Sequence, residues 1–268
     1  MGYQNGAMAP ILITGAAGRI GSYLRAGLPT LGWSLRLLDA AAIDDAEGAV
    51  RADIRDGAAV ESAMAGVDAV VHLAGIPNEA GFPELLAMNI DGTYQVFDAA
   101  RRAQVRRVVF ASSNHVVGFA PRGDRLDAAA PVRPDSYYGV SKVFGEALGR
   151  LYVDRHGMKA ACLRIGSCLD RPTTPRHLST WLSPDDAVRL VHACLVSPTL
   201  TYAVVYGISA NTRGWWDMGP GRRLGYEPED DAEVFAEEIL AAHGPVDRAD
   251  PDQARVGGLL ASRHAHPR

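Results

Sequence analysis

The chain has 268 residues, of which 47% are hydrophobic and 22% are charged, proportions typical of a soluble globular protein that buries a sizeable core. A formal net charge of −4 supplies no basic field for a phosphate backbone, which argues against nucleic acid as a partner. Apolar runs in the sequence stay shorter than the roughly 18 residues that a membrane-spanning helix needs, so we expect no membrane contact either.

Cysteine and histidine spacing indicates a reducing compartment and no metal centre. The three cysteines include no C-x-x-C pair, which favours reduced thiols and a cytoplasmic location. The eight histidines show none of the spacings typical of metal ligands. Residues 1–10 lack the charged and apolar regions of a signal peptide and are interpreted as a frayed end or an expression remnant.

Short apolar runs typical of strands alternate with helical stretches along the chain. The predicted strands are 11–13, 35–38, 69–73, 108–111, 161–165 and 203–206, and the predicted helices are 20–28, 58–64, 85–103, 137–156 and 184–195. A strand that is apolar on both faces belongs in a parallel sheet covered by helices. The sequence therefore predicts an α/β protein with a doubly wound parallel sheet, the Rossmann fold, built with right-handed crossovers.

The chain shows no internal repeat and no low-complexity linker, which predicts a single domain over residues 1–243. Residues 171–181 and 211–223 are rich in Pro, Thr, Gly and Arg without periodicity. We interpret them as loops over a substrate, within a small C-terminal portion that covers it. Residues 244–268 show no core-facing pattern and are predicted to be a mobile tail.

A glycine turn follows the first predicted strand and leads into a helix. Gly15, Gly18 and Gly21 have the spacing G-x-x-G-x-x-G. Glycine permits left-handed backbone angles and close approach of a pyrophosphate, and the start of a helix attracts negative charge. This context predicts a dinucleotide site, with Arg19 and Ile20 among its contacts. The alternative is an ordinary tight turn.

Asp39 ends the second predicted strand, about twenty residues past the glycines, where a carboxylate can accept hydrogen bonds from both adenosine ribose hydroxyls. It would repel the additional phosphate of NADP, so Asp39 predicts NAD as the cofactor. The alternative is that Asp39 caps the following turn. Asn89 and Ile165 are further predicted cofactor contacts.

Tyr138 and Lys142 form a Y-x-x-x-K pair near the start of a predicted helix, so both side chains project from one face. A neighbouring ammonium and a positively charged nicotinamide should lower the pKa of the phenol, which then acts as a general base. Ser113, just past the predicted strand over 108–111, is placed to hydrogen-bond the reacting oxygen. Such pairs are common in helices by chance, but the glycine turn and Ser113 favour catalysis.

The glycine spacing resembles that of short-chain dehydrogenases of the extended, sugar-modifying branch. By that resemblance, Asp53 and Ile54 would contact the adenine edge, although Asp53 could equally be a solvated loop residue. The segment Leu73-Ala74-Gly75 would form a backbone wall against the ribose.

A closer resemblance, to uronate dehydrogenases of the NAD-dependent epimerase/dehydratase superfamily, covers most of residues 11–235. The motifs that carry it are SSNH at 112–115, YGVSK at 138–142, RIGSC at 164–168, STW at 179–181, SAN at 209–211 and WWD at 215–217. The resemblance implies NAD-dependent oxidation of the C1 hydroxyl of D-galacturonate or D-glucuronate to an aldaric acid lactone. The implied partner is a small sugar acid, and we expect a homo-oligomer.

The resemblance also implies the substrate contacts. Asn114, His115 and Ser167 would contact sugar hydroxyls together with Ser113 and Tyr138, and Arg176 would clamp the C6 carboxylate. A guanidinium fork matches a carboxylate bidentately, although Arg176 and His115 could each be surface residues instead. Pro77 departs from the family pattern, which has a serine at this position, and this leaves the hydroxyl preference open.

Two other functions remain open at this point. A nucleotide-sugar epimerase or dehydratase would use the same cofactor fold and Tyr/Lys pair, but dehydratases carry an acidic pair beside the serine, where this chain has Asn114 and His115. A non-catalytic dinucleotide-binding protein would keep the glycine turn without needing Ser113, Tyr138 and Lys142. Trp215 and Trp216 are interpreted as packing residues, because tryptophan usually buries its large apolar area.

Overall fold

A computed structural model describes residues 9–43, 48–122, 125–245, 247 and 249–262. Residues 1–8 of the segment interpreted as a frayed end lie outside the described residues, as do 246, 248 and 263–268 of the predicted tail.

Seven strands form one parallel sheet with the order β3-β2-β1-β4-β5-β6-β9. They are β1 Ile11–Thr14, β2 Leu35–Asp39, β3 Val50–Arg51, β4 Ala69–His72, β5 Arg107–Ser113, β6 Lys159–Ile165 and β9 Tyr202–Gly207. The strand order reverses between β1 and β4, and in such sheets ligands bind beyond the carboxyl ends of the strands at that point. The predicted doubly wound fold is confirmed.

Three two-residue strands were missed from the sequence, because two residues carry no periodicity. One is β3, at the edge of the large sheet. The others are β7 Ser167–Cys168 and β8 Trp181–Leu182, which pair in parallel as a separate small sheet beside the end of β6.

Helices connect the strands and cover both faces of the sheet. They are α1 Arg19–Gly27, α2 Gly57–Ala63, α3 Phe82–Leu85, α4 Gly92–Arg102, α5 Tyr137–His156, α6 His177–Thr180, α7 Pro184–Val196, α8 Gly219–Arg223, α9 Ala236–His243 and α10 Pro251–Ala254. The helix predicted over 85–103 is interrupted by a π-helical turn, Leu86–Asp91, that separates α3 from α4. The described part of the chain holds no helix with the length and apolar character needed to span a bilayer.

The sheet separates two apolar layers. On one face α1 and α7 pack through Leu24, Leu190 and Val191. On the other face α4 and α5 pack through Phe97 and Leu148. Because both faces of β1 and β4 are covered, every residue of β1 and β4 is buried, as expected of central parallel strands.

Residues 253–262 of the predicted tail include buried residues that pack against the domain. The sequence predicted no core contact for this segment. Val256 is fully buried in a cluster with Val116, Val117 and Trp216. Its backbone N–H donates to the Ala120 carbonyl at 3.0 Å. The sequence did not indicate this packing, because the contact is made by a single valine between short turns and not by a periodic series of apolar residues.

Candidate active site

A cleft of about 1000 Å³ opens at the carboxyl ends of the central strands. The predicted cofactor contacts that line it are Gly15, Gly18, Arg19, Ile20, Gly21, Asp39, Asp53, Ile54, Leu73, Ala74, Gly75, Tyr138, Lys142 and Ile165. The predicted substrate contacts Ser113, Asn114, His115 and Ser167 also line it. Asn89 and Arg176 do not belong to this lining.

The glycine turn is shaped by close backbone packing. Gly15 has φ +74°, and a Cβ there would come within 2.5 Å of the Ala74 nitrogen. A Cβ at Gly21 would come within 2.5 Å of the Gly15 carbonyl oxygen. Gly18 caps α1, and among the described residues no side chain caps this N-terminus and no acidic residue lies in its first turn. The positive end of the helix dipole therefore faces the cleft, as a pyrophosphate requires.

Asp39 and Asp53 differ in their partners. The Asp39 carboxylate accepts hydrogen bonds from the backbone nitrogens of Ala17 and Ala41, both at 2.9 Å, so it caps the turn and also lines the cleft. The Asp53 carboxylate is bound by Arg55, whose side-chain hydrogen bond is the main cause of the lowered pKa of Asp53. Asp39 is thus the carboxylate better placed to meet a ribose.

Asn89 does not line the cleft itself but supports the loop that follows β4. Its side-chain oxygen accepts from the Ile76 N–H at 2.7 Å, and its amide nitrogen donates to the Ile76 carbonyl at 3.0 Å. The same nitrogen donates to the Ser141 hydroxyl at 3.1 Å. Asn89 therefore ties the loop after β4 to α5, and the π-helical turn is what brings this asparagine into the buried interior.

The three predicted catalytic residues meet at one end of the cleft. Ser113 is the last residue of β5, and its hydroxyl lies close enough to the Tyr138 phenol to lower the pKa of that phenol. The Lys142 ammonium lies 5.6 Å from the centre of the Tyr138 ring and donates to the Ala111 carbonyl at 2.8 Å. Ser136 caps α5, because its hydroxyl accepts a hydrogen bond from the Gly139 N–H at 3.0 Å. The helix therefore begins at Tyr137, and the side chains of Tyr138 and Lys142 lie on one face of it.

Burial is the main cause of the pKa shifts of Tyr138 and Lys142. It raises the pKa of Tyr138 to about 12, against the lowering effect of the Ser113 hydrogen bond, and the charge of Asp135 raises it further. This direction is opposite to the one expected from the neighbouring ammonium. Burial also lowers the pKa of Lys142 to about 8, because a low-dielectric surrounding disfavours either charged form.

The predicted substrate contacts lie on three elements. Asn114 follows β5, accepts from Ser113 at 3.3 Å and donates to the Val256 carbonyl at 3.5 Å. His115 is bonded through Nδ1 to the Asp135 carboxylate at 2.8 Å. Ser167 begins β7 and shares a hydrogen bond of 3.0 Å with Thr180.

Arg176 lies against the C-terminal segment and not on the wall of the cleft. Its guanidinium donates to the carbonyls of Arg255, at 3.3 Å, and Val256. The Val256 carbonyl therefore joins Arg176 to Asn114. The sequence could not place Arg176 there, because it predicted no packed segment at residues 251–262.

Pro77, which departs from the family pattern in the sequence, lines the cleft. Several other residues at the site were not singled out from the sequence: Thr173 and His177, in the predicted loop, also line the cleft. Glu79 accepts hydrogen bonds from the backbone nitrogens of Tyr137 and Tyr138 at the start of α5. Their residue types are common in loops, and the sequence around them carried no motif that marked them.

The fold and the cleft are those of a known family. Residues 11–195 match the family described as "NAD dependent epimerase/dehydratase family", and the chain belongs to that family. The parallel sheet, the uncapped glycine-turn helix and the Ser113-Tyr138-Lys142 group fit its cofactor, so the cleft is the NAD site of an oxidoreductase.

Several of the individual proteins to which the chain is similar are uronate dehydrogenases. It is 42% identical to the one from Pseudomonas putida, over 94% of this chain and 95% of that one. It is 45% identical to the one from Agrobacterium fabrum, over 93% and 94%. The crystal structure of a mutant uronate dehydrogenase from Agrobacterium tumefaciens complexed with NAD superimposes with a TM-score of 0.92 at 42% identity, covering 98% of this chain and 100% of that one.

Proposed function

We propose that this protein is a uronate dehydrogenase, which oxidises the C1 hydroxyl of D-galacturonate or D-glucuronate to the aldaric acid lactone with NAD as the oxidant. The observation that carries the proposal is the meeting of Ser113, Tyr138 and Lys142 at the substrate end of the cleft. The similarity to uronate dehydrogenases extends over at least 93% of the chain, and so includes the elements that surround this end.

Tyr138 takes the proton of the C1 hydroxyl, and Ser113 donates a hydrogen bond to the same oxygen as the C1–O bond gains double-bond character. NAD held in the cleft would supply the hydride acceptor for C1, and its positive ring would favour the ionised form of the Tyr138 phenol. Lys142, held by the Ala111 carbonyl, adds a second positive charge near Tyr138. The sugar thus loses one proton to Tyr138 and one hydride to the cofactor, and becomes the lactone.

Arg176 supplies the preference for an acid in this proposal. The C6 carboxylate would replace or join the backbone carbonyls of Arg255 and Val256 as an acceptor of the guanidinium. Charge-assisted bonds to a carboxylate are roughly twice as strong as bonds between neutral groups, which favours the exchange. Asn114, His115 and Ser167 would contact ring hydroxyls on the way to C1.

The direct test is the formation of NADH, followed by its absorbance, with each uronate. Matched controls are D-galactose and D-glucose, which lack only the acid group, and the Tyr138→Phe variant. We expect turnover with at least one uronate and about ten- to hundredfold lower kcat/KM with the neutral sugars. Absence of turnover with both uronates would overturn the proposal.

We also propose that the protein works as a cytoplasmic homo-oligomer. All three cysteines are free and buried, which suits a reducing compartment. Tyr137, Val140 and Leu151 on α5 and Phe82 on α3 are large apolar residues exposed by 42–54%, and such a patch favours a second copy as its partner. Sedimentation of the wild type and of Leu151→Glu tests the oligomer, because a monomeric wild type would contradict it.

A further inference from the structure

A buried carboxylate outside the predicted site contacts one of the proposed substrate residues. Asp135 is 1% exposed. Its carboxylate accepts from His115 Nδ1, with Oδ2 at 2.8 Å and Oδ1 at 3.0 Å, and from the Ser136 hydroxyl at 2.8 Å. Asp135 stands directly before the residue that caps α5, so its backbone is fixed to the helix that carries the catalytic tyrosine.

His115 connects Asp135 to the cleft. It lines the cleft, and its ring lies edge-on to the Tyr138 ring, with 5.7 Å between the ring centres. Because Nδ1 is turned to Asp135, Nε2 is the nitrogen that remains for a ligand in the cleft.

The Asp135 carboxylate determines the tautomer of a neutral His115. An ionised carboxylate only accepts hydrogen bonds, so the nitrogen that faces it must carry the hydrogen. The other nitrogen of a neutral imidazole is then an acceptor. His115 thereby presents an acceptor to the cleft, which is the partner that a sugar hydroxyl needs for its O–H.

Two glycines hold the carboxylate in place. A Cβ added at Gly118 or at Gly257 would overlap the Asp135 carboxylate. The backbone at Gly118 has φ −57° and that at Gly257 has φ −80°, values that any residue adopts. Glycine is therefore needed at these positions to make room for Asp135, and the segment after Val256 closes one side of its slot through the bond from the Gly257 N–H to the Gly118 carbonyl at 2.9 Å.

We propose that Asp135 is a positioning residue for substrate selection, which holds His115 as the Nδ1–H tautomer so that Nε2 accepts a hydrogen bond from a ring hydroxyl of the sugar acid. The inference rests on the proposed function for the identity of the ligand. The tautomer and its dependence on Asp135 are properties of the chain itself and can be measured without turnover.

The first experiment is therefore spectroscopic. The ¹⁵N-histidine spectrum of the NAD-bound wild type at neutral pH reports which ring nitrogen is protonated, and the His115→Gln variant identifies the His115 signals among the eight histidines. We expect the Nδ1–H tautomer. A predominant Nε2–H tautomer, or a doubly protonated ring, would overturn the proposal even if the protein oxidises uronates.

The second experiment is a double-mutant cycle in kcat/KM for the better uronate, with Asp135→Ala and His115→Ala. If Asp135 acts through His115, we expect Asp135→Ala to lower kcat/KM by about ten- to hundredfold, mostly through KM. In the His115→Ala background, Asp135→Ala should lower kcat/KM by less than about twofold. Equal losses in both backgrounds would show a merely structural role and would overturn the proposal.

A third variant leaves Asp135 in place and moves its carboxylate. Gly257→Ala puts a methyl group into the slot, so we expect it to raise KM for the uronate while NAD affinity stays within about twofold. The matched control is Asp98→Ala, which removes another buried carboxylate, one bound by Arg101 and Arg102 at the end of α4; it should leave KM unchanged. A KM that is normal in Gly257→Ala but raised in Asp98→Ala would contradict the inference.

Discussion

Glu146 on the catalytic helix α5 and Arg164 on β6 form a buried ion pair, with 2.9 Å between Arg164 Nη2 and Glu146 Oε2. The Arg164 side chain is 3% exposed and the Glu146 side chain is 7% exposed. The same carboxylate accepts from the Ser112 hydroxyl at 2.6 Å. Glu146 lies one helical turn after Lys142, and Ser112 stands next to Ser113. The pair therefore fixes α5 against β5 and β6, and sets the distance between the phenol and the serine.

Breaking this pair should strongly destabilise the fold. We expect Arg164→Met to lower the free energy of unfolding by about 3–5 kcal/mol, because it leaves a buried carboxylate without its cation. The double variant Arg164→Met with Glu146→Leu should recover most of the loss, since neither charge then remains. Urea unfolding of the three proteins measures this, and a loss below about 1 kcal/mol in the single variant would disagree with the structure.

Tyr138→Phe should remove proton transfer and keep cofactor binding. We expect kcat to fall by about 10²–10⁴-fold, while the Kd for NAD changes by less than about twofold, because the ring remains packed. Steady-state kinetics and fluorescence titration with NAD give the two quantities. Turnover close to that of the wild type would show that another group is the base.

Activity should depend on pH through Tyr138. Burial raises the pKa of its phenol, so the phenol is mostly protonated near neutral pH and the deprotonated base becomes more populated as the pH rises. We therefore expect kcat/KM for the uronate to increase between about pH 6 and pH 8, by up to tenfold per pH unit. Burial lowers the pKa of Lys142 to about 8. Above that pH the lysine loses its positive charge, and the climb should flatten. A profile that is flat from about pH 6 to pH 8 would contradict this account.

Asp39 should decide between the two nicotinamide cofactors. Asp39→Asn keeps an oxygen that can accept from the Ala17 N–H but removes the charge that repels an additional phosphate. We expect the ratio of kcat/KM for NAD to that for NADP to fall by about ten- to hundredfold. Asp53→Asn is the matched comparison, because Arg55 already binds that carboxylate, and it should leave the ratio within about threefold. Equal ratios in both variants would refute the role of Asp39.

Removal of the C-terminal segment should affect the sugar and not the cofactor. A chain that ends at Asp250 loses the Val256 carbonyl, which holds Asn114 and Arg176, so we expect KM for the uronate to rise about tenfold or more. The Kd for NAD should stay unchanged, because none of the cofactor contacts lies in that segment. A chain that ends at Ser262 keeps every contact named above and serves as the control. The prediction fails if both truncations have the same KM.

The central strands and the cofactor turn were predictable because their signals are local. All six strands predicted from the sequence are present in the sheet, and the helix predicted over 137–156 coincides with α5. The pattern at residues 11–21 combines an apolar strand, three glycines and a helix start within one short segment. Each of these properties is decided by neighbours in the chain, so a single sequence reveals them.

Other parts of the site depend on partners that are distant in the chain. The short strands of the small sheet, Ser167–Cys168 and Trp181–Leu182, form only when the intervening loop folds back. The π-helical turn that brings Asn89 into the interior interrupts a stretch whose apolar pattern reads as one helix. No local pattern could have indicated either feature.

The sequence by itself determined the order of the six longer strands and of the main helices between them, and the spacing of Tyr138 and Lys142, because hydrophobic periodicity and i,i+4 geometry follow from the chain alone. It also indicated the nicotinamide dinucleotide as cofactor, through the glycine turn and Asp39. Only the tertiary structure decided that the Val256 carbonyl joins Asn114, 142 residues away, to Arg176, 80 residues away, and that Asp135 orients His115. These contacts form because the packing of the whole sheet brings distant segments together. A hydrogen bond between residues far apart in the chain produces no recognisable pattern in the sequence around either residue.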